Sequence, residues 1–579
     1  MRKYFFLTIL ILFTFYVKAQ QQNSISGVIL NKEDLTPVVY ATVFVTTRHS
    51  GTITNTDGTF FIKDADPNKS VEIKIRHIGF DNITIAFDPV TMDTILLTPV
   101  SYDIEGAVIT ADKIDEHDAA KELLIEITRK YYSQADEGTA KGYFSLQSMQ
   151  NDSPYEMLEA YYNEEKSGFS VNKLTQKCGR AGIAGYGHSI ISTNLTNIYI
   201  NNKLFSSEGN DKFYGHLFSG SFLKNVKKYN LSFEKSFISD GKEYSIIAFK
   251  NKRSGLLLFE GTITVNRSDM IINEIRMHLS DPKSTHIFPI NPGDKTGNLE
   301  VEVLYLFEDI VVDGYTPLKL TTVDMSYEYF VPNRGVTYVD NSSMLYLFDR
   351  EEGFLEPVGL PKDLDNDYQA ILFTPFSQHF WDYYQRIPRN NEQQRFDKFF
   401  RSHGKLINYS GLTQENIYLG NRFFNWSERD KPDISLIEKP LRSHDLQRGI
   451  IVENHREQRR DSKVYLDYYI PLFLNRIGSQ TEVTAGLIFD SKTSRYQQQK
   501  DEFSNLFFHT MLNYLEMERR KLSKDLQAMS TEDPEAIITV YYERLQLIKA
   551  GLDELCNTTI NGTDHNTLVK RAAEIEKAL

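Results

Sequence analysis

Two cysteines and two tryptophans are all that 579 residues hold of these types. Cys178 and Cys556 stand too far apart for a CxxC metal site or a disulfide framework. Two buried free thiols are the expectation. A surplus of positive charge is missing as well. The chain has 65 Lys and Arg against 78 Asp and Glu, a formal net charge of −13. Surfaces that bind phosphate need the opposite balance, so nucleic acid and anionic membranes are excluded as partners. Beyond the first residues no window of 18 consecutive apolar residues occurs, so no transmembrane segment is expected in the mature chain. No Gly-x-Ser-x-Gly elbow is present. Gly182 to Gly187 (GIAGYG) lacks the Lys-Ser/Thr ending of a phosphate loop and has the wrong spacing for a dinucleotide fingerprint. What remains is a water-soluble composition, 41% apolar and 25% charged. The length suggests several domains. Its 33 Tyr and 37 Phe fall largely in alternating stretches, which favour strands.

The chain begins MRKYFFLTILILFTFYVKAQ. Arg2 and Lys3 precede an apolar run from Tyr4 to Val17, and Val17-Lys18-Ala19 suits signal peptidase. Residues 1–19 are therefore expected to be a signal peptide. The run is short for a membrane span, and no Cys follows it to carry a lipid. The mature protein is expected to be exported, to the periplasm, outer membrane or cell surface.

From Asn23 to Pro99, short strands alternate with turns. Ile25 to Ile29, Ala41 to Val45, Phe60 to Ile62, Val71 to Ile75 and Ile83 to Phe87 read as strands. Asn31 to Pro37, Gly51-Thr52 and Asn55 to Gly58 read as turns, and Asp57-Gly58 is a hairpin signal. Asp57 is expected to cap its own turn rather than bind a cation. The residues Ile25-x-Gly27-x-Ile29, Pro37, Ala41, Val43, Val45, Gly51-Thr52-x-Thr54-x-Thr56-Asp57-x-x-Phe60 and Ile78-Gly79-Phe80 carry a resemblance. The segment is similar to the carboxypeptidase-like regulatory domain. That resemblance implies a transthyretin-like β-sandwich without catalytic residues, serving docking or stabilisation in exported Gram-negative proteins. Ile104 to Ala111 resembles the segment that follows this domain in TonB-dependent receptors, although Glu576-Lys577-Ala578-Leu579 ends helical sequence rather than a barrel strand.

Residues 115–345 read as an amphipathic helix, His117 to Tyr132, followed by a curved antiparallel β domain. The helix spacing is Ala120, Leu123, Leu124, Ile127 and Tyr131. Strands are expected around Gly142 to Leu146, Tyr155 to Tyr161, Tyr244 to Phe249, Gly261 to Val265, Ile271 to Met277, Leu299 to Phe307 and Leu318 to Tyr329. Asp240-Gly241 and Asp313-Gly314 mark turns. Tyr244-Ser245-Ile246 and Gly261-Thr262-Ile263-Thr264-Val265 resemble envelope proteins that join the same module to a β-rich body. The concave face of such a half-barrel either holds a lipid or peptide or is filled by its own side chains, the expectation here. Residues 346–411 read as a linker with an aromatic helix, Phe376 to Ile387, and an exposed boundary at Pro388 to Gln394.

Residues 412–579 read as an α+β region, with strands at Gly449 to Glu453, Val464 to Phe473 and Glu482 to Phe489. A long helix, Glu502 to Met529, and a helical tail from Pro534 follow. Phe507 to Tyr514, with Phe424-Asn425-Trp426 upstream, resembles the His-Glu-x-x-His helix of a secreted zincin-like family. That motif sets two histidines on one helix face for zinc, with the Glu activating water. Here His509 occupies the first ligand position, but Thr510 replaces the base and Asn513 the second ligand. The resemblance therefore implies a degenerate site. Glu518 lies on a different face from His509, which with Glu516 makes a rebuilt site a poor prospect.

The sequence thus predicts a multi-domain, mainly β chain with α+β parts. Its expected role is a non-enzymatic envelope protein that binds an envelope protein, peptide or glycan partner. No catalytic residue and no cofactor are expected, and His509 is the lone metal candidate. A zinc-peptidase-like protein with a degenerate site, or a component associated with a TonB-dependent outer-membrane system, are the alternatives.

Overall fold

The structure is a computed structural model. It describes residues 24–46, 50–63, 70–88, 93–100, 116–133, 137–184, 196–206, 209, 212–288, 293–308, 316–362, 364, 367–407, 423–425, 464–496 and 502–579. The expectations on residues 1–19, Ile104 to Ala111, Gly185 to Gly187, Asp313-Gly314, Trp426 and Gly449 to Glu453 fall outside them. The chain is mainly β, with an N-terminal sandwich, a large curved antiparallel sheet and C-terminal helices.

Seven strands build the N-terminal module: β1 (Ser24–Asn31), β2 (Thr42–Val45), β3 (Ser50–Ile53), β4 (Thr59–Lys63), β5 (Val71–Arg76), β6 (Ile83–Phe87) and β7 (Thr94–Leu97). They form two sheets, β4-β1-β7 and β3-β2-β5-β6. Alternate residues point inward, so Ile29, Val43, Val45, Phe60, Ile73, Ile75 and Phe87 make one core. Gly51-Thr52, expected as a turn, lies inside β3 and pairs with Val43 and Phe44. A Cβ on Gly51 would stand 3.1 Å from the Val43 carbonyl, so the glycine serves close strand approach rather than turning.

Helix α1 (Glu116–Tyr132) opens the body. Three long strands follow, β8 (Glu137–Gln150), β9 (Ser153–Ser167) and β10 (Ser170–Ala184), and then the short helices α2 (Thr196–Asn201) and α3 (Phe222–Asn225). The antiparallel run continues through β11 (Tyr229–Ser239), β12 (Lys242–Asn251), β13 (Glu260–Asn266), β14 (Ile271–Asp281), β15 (Lys295–Phe307), β16 (Leu318–Val331) and β17 (Gly335–Phe348). Asp240 and Gly241 turn β11 into β12 with φ of 50° and 71°, the left-handed backbone a two-residue hairpin requires. Helices α4 (Asp367–Phe373), α5 (Gln378–Tyr384) and α6 (Asn391–His403) lead to β18 (Gly404–Ile407), which pairs with β10. The sheet then runs β11-β12-β13-β14-β15-β16-β17-β8-β9-β10-β18.

One face of this sheet, called inner here, is filled by the chain itself. Leu124, Ile127 and Tyr131 of α1 pack with Phe205, Phe218, Phe169, Val303 and Phe307. Each large apolar side chain buried so fully contributes roughly 1.5–3 kcal/mol. The Tyr131 hydroxyl accepts from the Ile272 N–H at 2.8 Å; since the Thr316 hydroxyl donates to the Ile272 carbonyl, Tyr131 donates to Thr316 Oγ1 at 2.8 Å. The outer face carries a second aromatic cluster, with Tyr143, Tyr161, Tyr346, Phe348 and Phe354 packed on Phe380, Trp381 and Tyr384 of α5. Ile53 and Tyr40 of the module join this cluster, which fixes the sandwich to the outer face.

The C-terminal region holds short strands β19 (Phe423–Asn425), β20 (Val464–Tyr465), β21 (Tyr468–Tyr469), β22 (Leu472–Ile477), β23 (Gln480–Ala485), β24 (Ile488–Asp490) and β25 (Arg495–Tyr496). Helices α7 (Glu502–Gln527), α8 (Pro534–Thr558) and α9 (His565–Ala578) cover them. The expected helical tail is two helices. Asp533 caps α8 with Pro534 beside it. Asp564 caps α9, and Gly562, at φ 85°, turns the chain between them. Neither cysteine is in a disulfide; Cys178 is buried as expected, but Cys556 is only partly buried. Among the described residues no helix is long and apolar enough to cross a membrane.

Candidate functional site

Pro388 to Gln394, expected as an exposed boundary, is only partly so: Asn391, Glu392 and Gln394 are exposed, but Asn390 and Gln393 are buried and Pro388 and Arg389 half-buried in a junction. Arg389 and Arg180 both pair with Glu159, whose side chain is fully buried on the outer face. Arg180 Nε lies 2.8 Å from the carboxylate, and Arg389 Nε donates to it at 3.2 Å. The Tyr143 hydroxyl donates to the same group at 2.8 Å. Burial alone would raise the Glu159 carboxyl, but the two guanidinium groups overcome it and hold the group well below the usual carboxylate range. Trp381 lies 4.2 Å beneath the Arg180 guanidinium.

Next in the chain, Asn390 forms a capping box with Gln393 at the start of α6. The Gln393 amide donates to Ser145 of β8 at 2.9 Å. The module reaches the same point. Asn55 caps its own turn, accepting from the N–H groups of Asp57 and Thr59, and its amide donates to the Pro388 carbonyl at 3.2 Å. The Asn390 amide donates to Thr56 at 2.7 Å. Asp57, expected to cap its own turn, instead accepts the Asn391 N–H at 2.6 Å, at the N-terminus of α6. A carboxylate is favoured there by the helix dipole.

Module, α6 and sheet together frame a cleft of about 670 Å³ on the outer face. Its floor comes from successive outward positions of β15, β16, β17 and β8. Glu302 stands opposite Asp324, Asp324 opposite Ser342, and Ser342 opposite Gln147. Ser326 stands opposite Asp340, and Asp340 opposite Met149. Asp57, Glu300 and Glu392 add further carboxylates, and among the described residues Arg395 is the one cation of the lining. Arg395 is bound to Glu392 at 2.9 Å, and Glu300 takes the Ser280 hydroxyl at 2.6 Å. Loss of solvation in the cleft raises the Asp324 carboxyl. Ser342 opposes this by hydrogen bonding, and Glu302 adds to it by repulsion. A smaller recess of about 390 Å³ lies between α1 and the start of α3, lined by Ile125, Tyr132, Phe222 and Leu223.

His509 sits partly buried on α7, its ring 5.7 Å from that of Phe508. The Thr510 hydroxyl is turned back onto the Leu506 carbonyl at 2.7 Å. Asn513 is buried. Glu516 is held by Arg519 at 2.7 Å and by Arg520 at 2.8 Å, and Glu518 by Lys521. Among the described residues no three His, Cys, Asp or Glu side chains are grouped to hold a metal. The cleft carboxylates Glu302, Asp324 and Asp340 were not singled out from the sequence. Their signal is the alternation Leu299-Glu300-Val301-Glu302-Val303 and Val323-Asp324-Met325, which marks a sheet face turned to water.

Residues 25–108 match a family model described as CarboxypepD_reg-like domain. The N-terminal module is a CarboxypepD_reg-like domain. The match extends past Pro99, the expected limit. No curated protein matches the chain. Among solved structures it is similar to a LolA superfamily protein from Nitrosomonas europaea, with 11% identity, 43% of this chain and 98% of that one, and a TM-score of 0.16. A putative outer-membrane lipoprotein-sorting protein domain from Vibrio parahaemolyticus gives 10% identity, 44% and 99% coverage and a TM-score of 0.20. A putative membrane-associated protein of unknown function from Bacteroides fragilis gives 7%, 57%, 99% and 0.11. Likenesses at these scores carry no argument about this chain.

Proposed function

We propose that this chain is a non-enzymatic exported protein of the cell envelope, with a binding or assembly role. The observation that carries the reading is the shared construction of the outer cleft. The CarboxypepD_reg-like domain is not tethered loosely. Thr56 and Asp57 bind α6, and both elements wall a recess floored by the body's own sheet. The inner face, by contrast, is filled by α1 and the segment around Phe205 and Phe218. Binding therefore falls to the outer cleft, where among the described residues no nucleophile, base and orienting partner are set in a hydrogen-bonded series. The leader-like start of the sequence supports export.

The test combines location, metal content and turnover. Purified mature chain is analysed for zinc and incubated with casein, peptide and ester substrates, and cell fractions are probed for the protein. The reading expects an envelope fraction, no stoichiometric zinc and no turnover. Stoichiometric zinc that is lost in His509→Ala, or turnover of any of these substrates, sinks it.

A further inference from the structure

The outer face of β15–β17 carries more than acidity. Phe330, Val336 and Tyr338, at the hairpin joining β16 to β17, are 40%, 47% and 60% exposed. Phe330 stands opposite Val336, and Tyr338 opposite Glu328. Strand residues two apart share a face, so all three lie on the face of Asp324, Ser326 and Asp340. An apolar patch and an acidic floor are thus one continuous strip. From Asp324 to Phe330 it runs about 20 Å at ~3.4 Å per residue, the length of roughly six extended residues.

The acidic end is built against its own stability. Glu302 and Asp324 are directly opposed like charges, an arrangement that costs a sheet free energy. Among the described residues neither they nor Asp340 has an ion-pair partner, and Arg395 is committed to Glu392. A single metal ion does not answer this, since no three such groups are close enough to share one. Phosphate-bearing ligands are repelled. A chain with several spaced cations and an apolar side chain fits both ends.

We propose that this strip docks an extended basic peptide segment of a partner protein. Its Lys or Arg side chains lie over Glu302, Asp324 and Asp340, and an apolar side chain rests on Phe330, Val336 and Tyr338. The inference rests on the binding role proposed above and names the chemistry of the partner. The strip lies within the sheet rather than at its edge, so recognition runs through side chains and not through an added strand.

The probe is a fluorescein-labelled peptide alternating Lys with Leu and Phe, read by anisotropy with the mature chain. Its Glu-for-Lys counterpart is the control. Wild type binds the Lys peptide alone, about tenfold more weakly when salt rises from ~20 to ~300 mM. The combined Glu302→Gln, Asp324→Asn and Asp340→Asn variant binds roughly tenfold more weakly or less, and its salt dependence flattens. Phe330→Ser with Tyr338→Ser weakens binding roughly threefold to tenfold and leaves the salt dependence intact. All five side chains stand at the surface, and matching thermal melts establish that each variant folds. Absence of saturable binding to wild type at ~100 μM, well above the micromolar range sought, overturns the proposal. So does equal binding by the carboxylate variant or by the Glu peptide. Saturable Ca²⁺ binding that this variant loses, without peptide binding, assigns the strip to a cation and also overturns it. Any of these results, with envelope location and no turnover, leaves the broader binding reading standing. Zinc or turnover removes that reading itself.

Discussion

Glu159→Gln tests whether the segment before α6 is a clamp. The substitution keeps the shape of the side chain and an acceptor for the Tyr143 hydroxyl, but removes the charge shared by Arg180 and Arg389. Those two arginine side chains are only 14% and 20% exposed. Removing one partner from a buried pair costs about 3–5 kcal/mol. Asp397, 3.6 Å from Arg389, still offsets part of that charge, so the low end, ~3 kcal/mol, is expected. At roughly 2–4 °C per kcal/mol the melting temperature falls by about 6–12 °C. Because Arg389 adjoins the cap that meets Thr56, trypsin should also cut near α6 sooner. The pH dependence carries a sign. The folded state holds this carboxyl below its unfolded value, so its contribution is complete above about pH 4.3 and fades as the pH falls. The gap between wild type and variant in circular dichroism melts should therefore shrink from pH 7 to pH 3. A loss under ~1 kcal/mol at pH 7, the level of an exposed pair, would refute the clamp.

Three further perturbations probe other parts of the argument. Glu164 is buried on β9 with its carboxyl pushed up to about 7 by lost solvation, against the pull of Arg350 and Lys166. The folded state then binds the extra proton between about pH 4.5 and 7, so this group's contribution falls as pH rises through that window. Glu164→Gln should stabilise the protein at pH 7.5 relative to pH 5 by up to about 3 kcal/mol in urea titrations, and an equal effect at both pH values would contradict this. In Gly261→Ala the new Cβ would lie 1.9 Å from the Arg276 carbonyl across the β13–β14 pair. A loss of about 1–3 kcal/mol is expected from thermal melts, and an unchanged melt would show the strands can part freely. Asn55→Ala leaves the N–H groups of Asp57 and Thr59 and the Pro388 carbonyl without their partner, a loss of about 1–3 kcal/mol. Hydrogen exchange should rise at the module turn and at Pro388–Gln393 together, and a rise at the turn alone would mean the contact does not couple them.

Many strands of module and body were legible because two forces agree there: alternation writes each strand's faces into the sequence, and turn residues punctuate it; β7, β10, β11 and β17 were not read as strands. Helix α1 was legible for the same reason at a period of 3.6 residues. The junction was not. Arg389, Asn390 and Gln393 read as exposed because polar side chains are exposed unless partnered. Their partners, Glu159, Thr56 and Ser145, are supplied by β9, the module and β8, more than 200 residues upstream. Gly51 misled in the opposite sense. Its missing side chain was read as freedom to turn, whereas it relieves a close approach to Val43. The acidic strip was half legible. Alternation in β15 and β16 turns Glu302 and Asp324 to one face, but register alone sets them opposite each other and beside Asp340.

The two faces of the large sheet pose different packing problems, and their solutions decide where binding can occur. Helix α1 and the segment that follows β10 close the inner face with apolar side chains. The outer face has no such single cover. It is tiled instead by three separate pieces: the sandwich through Ile53 and Tyr40, the aromatic helix α5, and the C-terminal strands through the buried Lys177 amine, which donates to the carbonyls of Leu355 and Leu474 at 2.8 and 2.5 Å. Separate pieces leave a gap between them. Here the gap falls over β15–β17, where the outward residues change from Leu306 and Leu320 under the tiles to Glu302, Asp324 and Asp340 beyond them. The change from apolar to acidic along single strands marks where cover ends. The sandwich then has two effects from one contact: it buries the aromatic cluster, and its turn at Thr56 and Asp57 sets one wall of the space left open. Asn390, which donates to Thr56 from the cap of α6, ties that wall to the helix beside it.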